Sequence, residues 1–328
     1  MNTKTLSRQH NPPAIGAAWR SLIASTALAG IMGLSVNVQA HPSYGLVRLP
    51  DGTLLFADVL HNEGTIWRYN GTDGLTKLLT HEHCHFLYRD AKGSVWGTDH
   101  DYLPELETNR NSLWKLAPSG NRKQIVIAPT TDASVFSGVN FVVDRQGQIY
   151  YPHDRQILRR HQNGKPTPFI DHRFGRIMSL QMDQYDRLYL TDTYESGGSL
   201  FRIEPNGKRT RLATDLKQKA PVDPPFPEDR FNLLFAVNVS AEGTAWVASS
   251  GGRQIVEIAP SGTKDIIFRS ESPWYPVAGL KADNALYVME AGYQSGIGNF
   301  GPRILRVKDG QRKILITIDA PDKFKENR

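Results

Sequence analysis

Histidine is the residue through which this chain announces chemistry. Ten occur in the sequence, and the densest group is the run His81-Glu82-His83-Cys84-His85. Side chains two apart on an extended backbone share a side, so His83 and His85, and His81 by the same alternation, are placed to meet on one ion. Neutral imidazole is a ligand for zinc, copper or iron, and this predicts a divalent transition metal held by His83, His85 and His153. His41 joins that set by a different argument. Cleavage after Val38-Gln39-Ala40 would expose both its α-amine and its imidazole, a pair able to chelate copper.

A second group has the residue types for catalysis. His100 suits proton transfer because an unperturbed imidazole titrates at about 6.5. Arg176 suits a substrate carboxylate or an oxyanion, and Tyr194 and Glu290 stand where titratable groups are expected on the same rim. The alternative for each is structural: a carboxylate at a strand end, such as Asp58 or Asp192, caps the N–H groups of the next loop.

The elements that must position these residues follow from repetition. Gly64-Thr-Ile-Trp-Arg-Tyr69, Asn111-Ser-Leu-Trp-Lys-Leu116, Arg155-Gln-Ile-Leu-Arg-Arg160, Ser199-Leu-Phe-Arg-Ile203, Arg253-Gln-Ile-Val-Glu-Ile258 and Arg303-Ile-Leu-Arg-Val307 are copies of one alternating strand. A strand, a polar turn and another strand precede each copy, as in Phe141-Val-Val-Asp-Arg-Gln-Gly-Gln-Ile-Tyr-Tyr151, and a further strand follows most. Four antiparallel strands in each of six units predict an all-β six-bladed β-propeller over residues 41–328. In such a blade, the lead-in to the first strand and the link from second to third strand share one face. Eight histidines fall on that face: His41, His61, His81, His83, His85, His100, His153 and His172. His161 falls on the other.

The repeats resemble the NHL-type blade, carried by Phe141-Val-Val-Asp144 and by Gln181-Met-Asp183 with Leu188-Tyr-Leu-Thr-Asp192. The chain is similar to the gluconolactonase-like and amidating-lyase-like propeller group. That resemblance implies a metal-dependent lyase or a lactone or ester hydrolase, acting on a small-molecule or oligosaccharide substrate. Gluconolactonase-type propellers hold their ion with Glu, Asn and Asp. Asn140 and Asn238 stand at comparable places here, but Tyr44 and Gly45 replace the first-blade Glu. Streptogramin-lyase and amidating-lyase propellers use histidine, from separate blades. The other function class compatible with the rim is a binding propeller that captures a metal or ligand without turnover.

Residues 1–40 read as a cleaved secretory signal peptide: Lys4, Arg8 and Arg20 flank a largely apolar stretch from Ser21 to Val38. The expected location is periplasmic or secreted, with no stable membrane insertion after cleavage. Without that leader the 39 basic residues fall to 36 against 33 acidic ones. No basic run interleaved with aromatics occurs, so nucleic acid is not an expected partner. Cys84 is the single cysteine, which excludes an intramolecular disulfide and leaves stability to the core.

Overall fold

The computed structural model describes residues 42–136, 140–161, 163–218, 232–294 and 298–318. Six four-stranded antiparallel sheets follow one another along the chain. Blade one comprises β1 (Leu46–Arg48), β2 (Leu54–Asp58), β3 (Thr65–Asn70) and β4 (Gly74–Thr80); blade two comprises β5 (Leu87–Arg89), β6 (Val95–Leu103), β7 (Thr108–Leu116) and β8 (Lys123–Thr130). Blade three comprises β9 (Val142–Val143), β10 (Ile149–His153), β11 (Gln156–Arg160) and β12 (Thr167–Pro168). Blade four comprises β13 (Ile177–Met182), β14 (Leu188–Asp192), β15 (Ser199–Ile203) and β16 (Arg209–Ala213). Blade five comprises β17 (Leu234–Val239), β18 (Ala245–Ser249), β19 (Gln254–Ile258) and β20 (Lys264–Arg269). Blade six comprises β21 (Trp274–Ala282), β22 (Ala285–Gln294), β23 (Gly298–Lys308) and β24 (Gln311–Thr317). This is the six-bladed β-propeller expected from the repeats.

The repeated Asp-x-x-Gly-x-apolar-aromatic motif is a self-contained turn. Asp144 Oδ1 accepts the N–H groups of Gln146 and Gln148, at 2.9 and 2.8 Å, while Oδ2 takes the Tyr150 hydroxyl at 3.1 Å. Asp183 does the same with Tyr185, Arg187 and the Tyr189 hydroxyl, and Asp90 with Lys92, Ser94 and the Trp96 indole. One carboxylate thereby satisfies the turn and fixes the packing aromatic of the second strand.

The chain enters on an innermost strand and leaves on an outermost one, and β1 packs against β21 to bring blades one and six together. Arg48 crosses that seam to pair with Asp283 and lies over the Tyr287 ring, 5.8 Å from its centroid. Among the described residues, no helix is long and apolar enough to cross a membrane. Trp67, Trp96, Trp114 and Trp246 are core residues, as their strand positions predict.

Aromatic side chains floor the centre of the ring. Tyr44 packs on Phe86 and Phe235 at centroid separations of 5.9 Å, Phe86 on Phe141 at 6.1 Å, and Phe235 on Tyr275 at 6.3 Å. These residues come from blades one, two, three, five and six, and all are buried. Burial pushes the phenols of Tyr44 and Tyr275 far up, so neither ionises in the working range.

Candidate functional site

On the histidine face, the link from β4 to β5 carries the His81–His85 run. Its backbone is not a regular strand: Cys84 N–H donates to the Glu82 carbonyl at 2.7 Å, a three-residue turn with His83 at its apex. His83 and His85 nonetheless meet, Nε2 to Nε2, at 3.0 Å. His81 does not join them. Its φ of +59° turns it out of the alternation, and its side chain, 71% exposed, sits 3.2 Å from Glu63 instead.

The loop is clamped from below. Glu82 is buried and paired with Lys123 of β8, and Asp99 Oδ1 accepts the His83 N–H at 3.1 Å. Gly64, at φ +109°, lets the neighbouring blade approach, since a Cβ there would lie 2.0 Å from the Glu82 carbonyl oxygen. Cys84 points into the core with its thiol pushed up to about 12 by burial, which removes it as a nucleophile or ligand.

His100 completes a cluster of imidazoles. Its ring centroid lies 6.1 Å from that of His83 and 6.4 Å from that of His85. It reaches them because β6 and β7 continue past the blade edge as a hairpin, pairing His100 with Asn111 and Leu103 with Thr108. The hairpin carries the strands past residue 101, with Tyr102 and Leu106 each 60% exposed near its tip. Blade six carries a similar extension, pairing Tyr293 with Asn299. His100 Nδ1 bonds to Asn111 Oδ1, an atom that can only accept, so Nδ1 carries the hydrogen and Nε2 keeps its lone pair.

Burial lowers the proton affinity of His83 and His100, and in His83 the proximity of His100 lowers it further. Two Nε2 atoms in contact share one hydrogen when the pair is neutral, and a second would set two N–H groups head to head. Because the folded values lie below the ordinary 6.5 or so, the unfolded chain binds more protons as pH falls through that region. The midpoint of urea unfolding is therefore expected to fall between pH 6.5 and pH 5, and the fall to be shallower in His100→Gln. Equal pH slopes in the two proteins would rule out this linkage.

Blade four supplies the other chemical residues. Asp192, buried at the end of β14, accepts N–H groups from Gly175, Arg176, Tyr194 and Glu195 at 2.6, 2.9, 3.0 and 3.2 Å. This fixes Arg176 and Tyr194 together: Arg176 Nη1 donates to the Tyr194 hydroxyl at 3.2 Å, and its guanidinium lies over that ring. The charge of Arg176 also opposes, weakly, the effect of burial on the Tyr44 phenol. Tyr194 is 58% exposed. Between blades three and four a cavity of about 350 Å³ is lined by His153, Arg155 and Arg176.

Several expectations need correcting. The strand-end carboxylates have the structural role open to them: Asp58 is occupied by His61 Nδ1, the Trp67 indole and the Leu60 N–H, while Asp99 and Asp192 latch their own blades' lead-in segments. Asn238 does not face the histidines. It lines a cavity of about 380 Å³ at the opposite mouth of the channel, and Asn140 accepts the Tyr44 hydroxyl at 2.9 Å. Glu290 lies within β22, 0% exposed, and is ion-paired with Arg303 of β23, which in turn covers Trp274. His172 bonds to Arg209 on blade four. His41 and the leader 1–40 lie outside the described residues.

The structure thus brings His83, His85 and His100 together, and Arg176 with Tyr194. The residues reasoning from sequence missed are Asn111, which sets the His100 tautomer, and Lys123 and Glu82, which hold the loop. Only the cross-strand register of β6 and β7 could have pointed to Asn111.

Among the described residues, no group of three or more His, Cys, Asp or Glu side chains is arranged to hold a metal ion. The 3.0 Å between the paired Nε2 atoms is shorter than the roughly 3.4 Å that two imidazoles span on a tetrahedral ion at about 2.1 Å. The described residues therefore offer one imidazole pair and no complete ligand set.

No family model matches the sequence, and no curated protein matches it. Among solved structures, the chain is similar to a streptogramin B lyase, with 14% identity over 85% of this chain and 84% of that one and a TM-score of 0.53. It is also similar to a gluconolactonase from Xanthomonas campestris, with 14% identity over 76% and 83% and a TM-score of 0.54. A third is a calcium-binding regucalcin from Agrobacterium tumefaciens, with 13% identity over 78% and 85% and a TM-score of 0.50. The fold is that of the gluconolactonase-like and streptogramin-lyase propellers.

Proposed function

We propose that the chain is an exported propeller enzyme whose chemistry takes place in the histidine-lined bowl, and that it is a lyase acting on a small or carbohydrate-like substrate. The observation that carries this reading is His100: a half-buried imidazole with lowered proton affinity, its Nε2 lone pair fixed by Asn111 and its neighbours two further imidazoles. Such a group is a base at neutral pH. Arg176 supplies the positive charge that an enolate-like intermediate needs, and the Tyr194 hydroxyl beside it is the proton donor for a departing oxygen. His100 takes a carbon-bound proton, its electron pair becomes the new C=C bond, and the leaving oxygen departs with the proton from Tyr194. Hydrolysis of a lactone or ester in the same bowl is the neighbouring reaction.

The test is turnover by the secreted chain on uronate oligomers, lactones and esters, with unsaturated product read by its ultraviolet absorbance. Elimination products from wild type and their loss in His100→Gln support the reading. An intact panel, or equal turnover by the variant, overturns it.

The separation of the His83 and His85 Nε2 atoms favours a second reading, in which the pair binds a divalent zinc, copper or iron ion and the bowl captures a ligand without turnover. Stoichiometric metal in wild type, absent from His83→Ala/His85→Ala, with the substrate panel intact, supports that alternative. Export rests on the basic flank, the apolar stretch and Val38-Gln39-Ala40. N-terminal sequencing of periplasmic material should begin at His41.

A further inference from the structure

We propose that the cavity between blades three and four is an anion subsite that receives the carboxylate of the ligand. This deepens the preceding reading of the bowl and rests on it for the identity of that ligand as substrate. The cavity, about 350 Å³, is large enough for one sugar-sized unit.

Its charge is unbalanced in favour of cations. Asp154, on the wall, is engaged by Arg173 at 2.9 Å, and the Asp192 carboxylate is engaged by four backbone N–H groups. Arg155 and Arg176, both lining the cavity, form no ion pair with a carboxylate among the described residues. Arg155 Nε donates to the Phe174 carbonyl at 2.6 Å, and Arg176 Nη1 donates to the Tyr194 hydroxyl at 3.2 Å. A guanidinium carries five N–H donors in a planar fork, so each keeps donors for a bidentate partner. His153 ends β10 on the same wall.

The backbone beneath Arg155 gives an independent reason to look there. His153 pairs with Gln156, which leaves Asp154 and Arg155 as a two-residue hairpin turn, with φ of +45° and +66°. Turns of that hand favour Asn-Gly because both central residues take positive φ. An arginine in the glycine position is conformationally unfavourable, and strain of this kind is found where a side chain is needed for function.

Equilibrium binding of D-galacturonate and D-galactose, matched hexoses with and without a carboxylate, tests the proposal at low ionic strength. The expected result is at least tenfold tighter binding of galacturonate by wild type. That preference should disappear in Arg155→Gln and in Arg155→Gly, the latter folding at least as stably because glycine accepts the turn. Equal affinity for the two sugars, or an unchanged preference in both variants, overturns the subsite. Inorganic sulfate that competes with galacturonate supports one shared anion site. Sulfate binding without galacturonate binding overturns the assignment to a ligand carboxylate. Turnover is read separately on wild type: a galacturonate preference in a wild-type protein that leaves the whole substrate panel intact leaves the subsite standing while the lyase reading fails.

Discussion

His100→Gln is expected to lower kcat about 10²- to 10⁴-fold, the range for loss of a positioned general base, and to leave the urea midpoint at pH 8 close to that of wild type. Glutamine can still bond to Asn111 but offers no lone pair that takes a proton at neutral pH. At that pH His100 is neutral in wild type, so the substitution changes no charge in a half-buried place. The pH profile separates base catalysis from a purely structural role. Wild type should lose activity on acidification with a limb below about 6.5, because burial lowers the value of this imidazole, and the variant's residual activity should lack that limb. An unaltered acid limb in His100→Gln, or a drop in kcat matched by a drop in stability, would sink the assignment of His100 as the base.

Much of the fold was readable because its turns are local. In Asp144-Arg-Gln-Gly147 the carboxylate, the left-handed glycine and the aromatic six residues on from the aspartate all lie within one hairpin, so sequence spacing and spatial contact coincide. The meeting of His83 and His85 was readable for the same reason, although a tight turn brings it about and not a strand. His81 departs from the pattern because a positive φ reverses one residue, and nothing in the residue type marks that reversal. The arrival of His100 depends on β6 running on beyond the blade through Asp99, His100, Asp101 and Tyr102, a stretch polar enough to resemble a loop. The burial of Glu290 depends on its pairing opposite Arg303, a matter of register between two strands. The aromatic floor was the least accessible part of the site. Each of its rings looks like an ordinary strand residue, and only the closure of the ring brings five blades to one place.

Asp192→Ala is expected to destabilise the protein by about 3–5 kcal/mol, the range for breaking a buried charged network. Four backbone N–H groups converge on this one carboxylate, and hydrogen bonds to a charged acceptor each contribute about 1.5–3 kcal/mol, with non-additivity reducing the total. Alanine leaves those donors without an acceptor at a position from which solvent is excluded. Asp192→Asn gives a sharper measurement. Its amide oxygen can keep the bonds from Arg176, Tyr194 and Glu195, but the amide nitrogen would meet the Gly175 N–H donor to donor, so the expected loss is smaller, about 1–2 kcal/mol. Asp99→Ala is the internal comparison. Asp99 holds its lead-in segment through the single His83 N–H, at a position that is only partly buried, so its removal should cost less than that of Asp192. Urea unfolding of the three variants orders these effects. If Asp99→Ala proved as costly as Asp192→Ala, the number of latched N–H groups would not be what stabilises the rim. The functional consequence follows from the same bonds, since the segments carrying Arg176 and Tyr194 are both held by Asp192. Its loss should therefore weaken galacturonate binding and slow turnover together, whereas Arg155→Gly should weaken binding with no loss of stability.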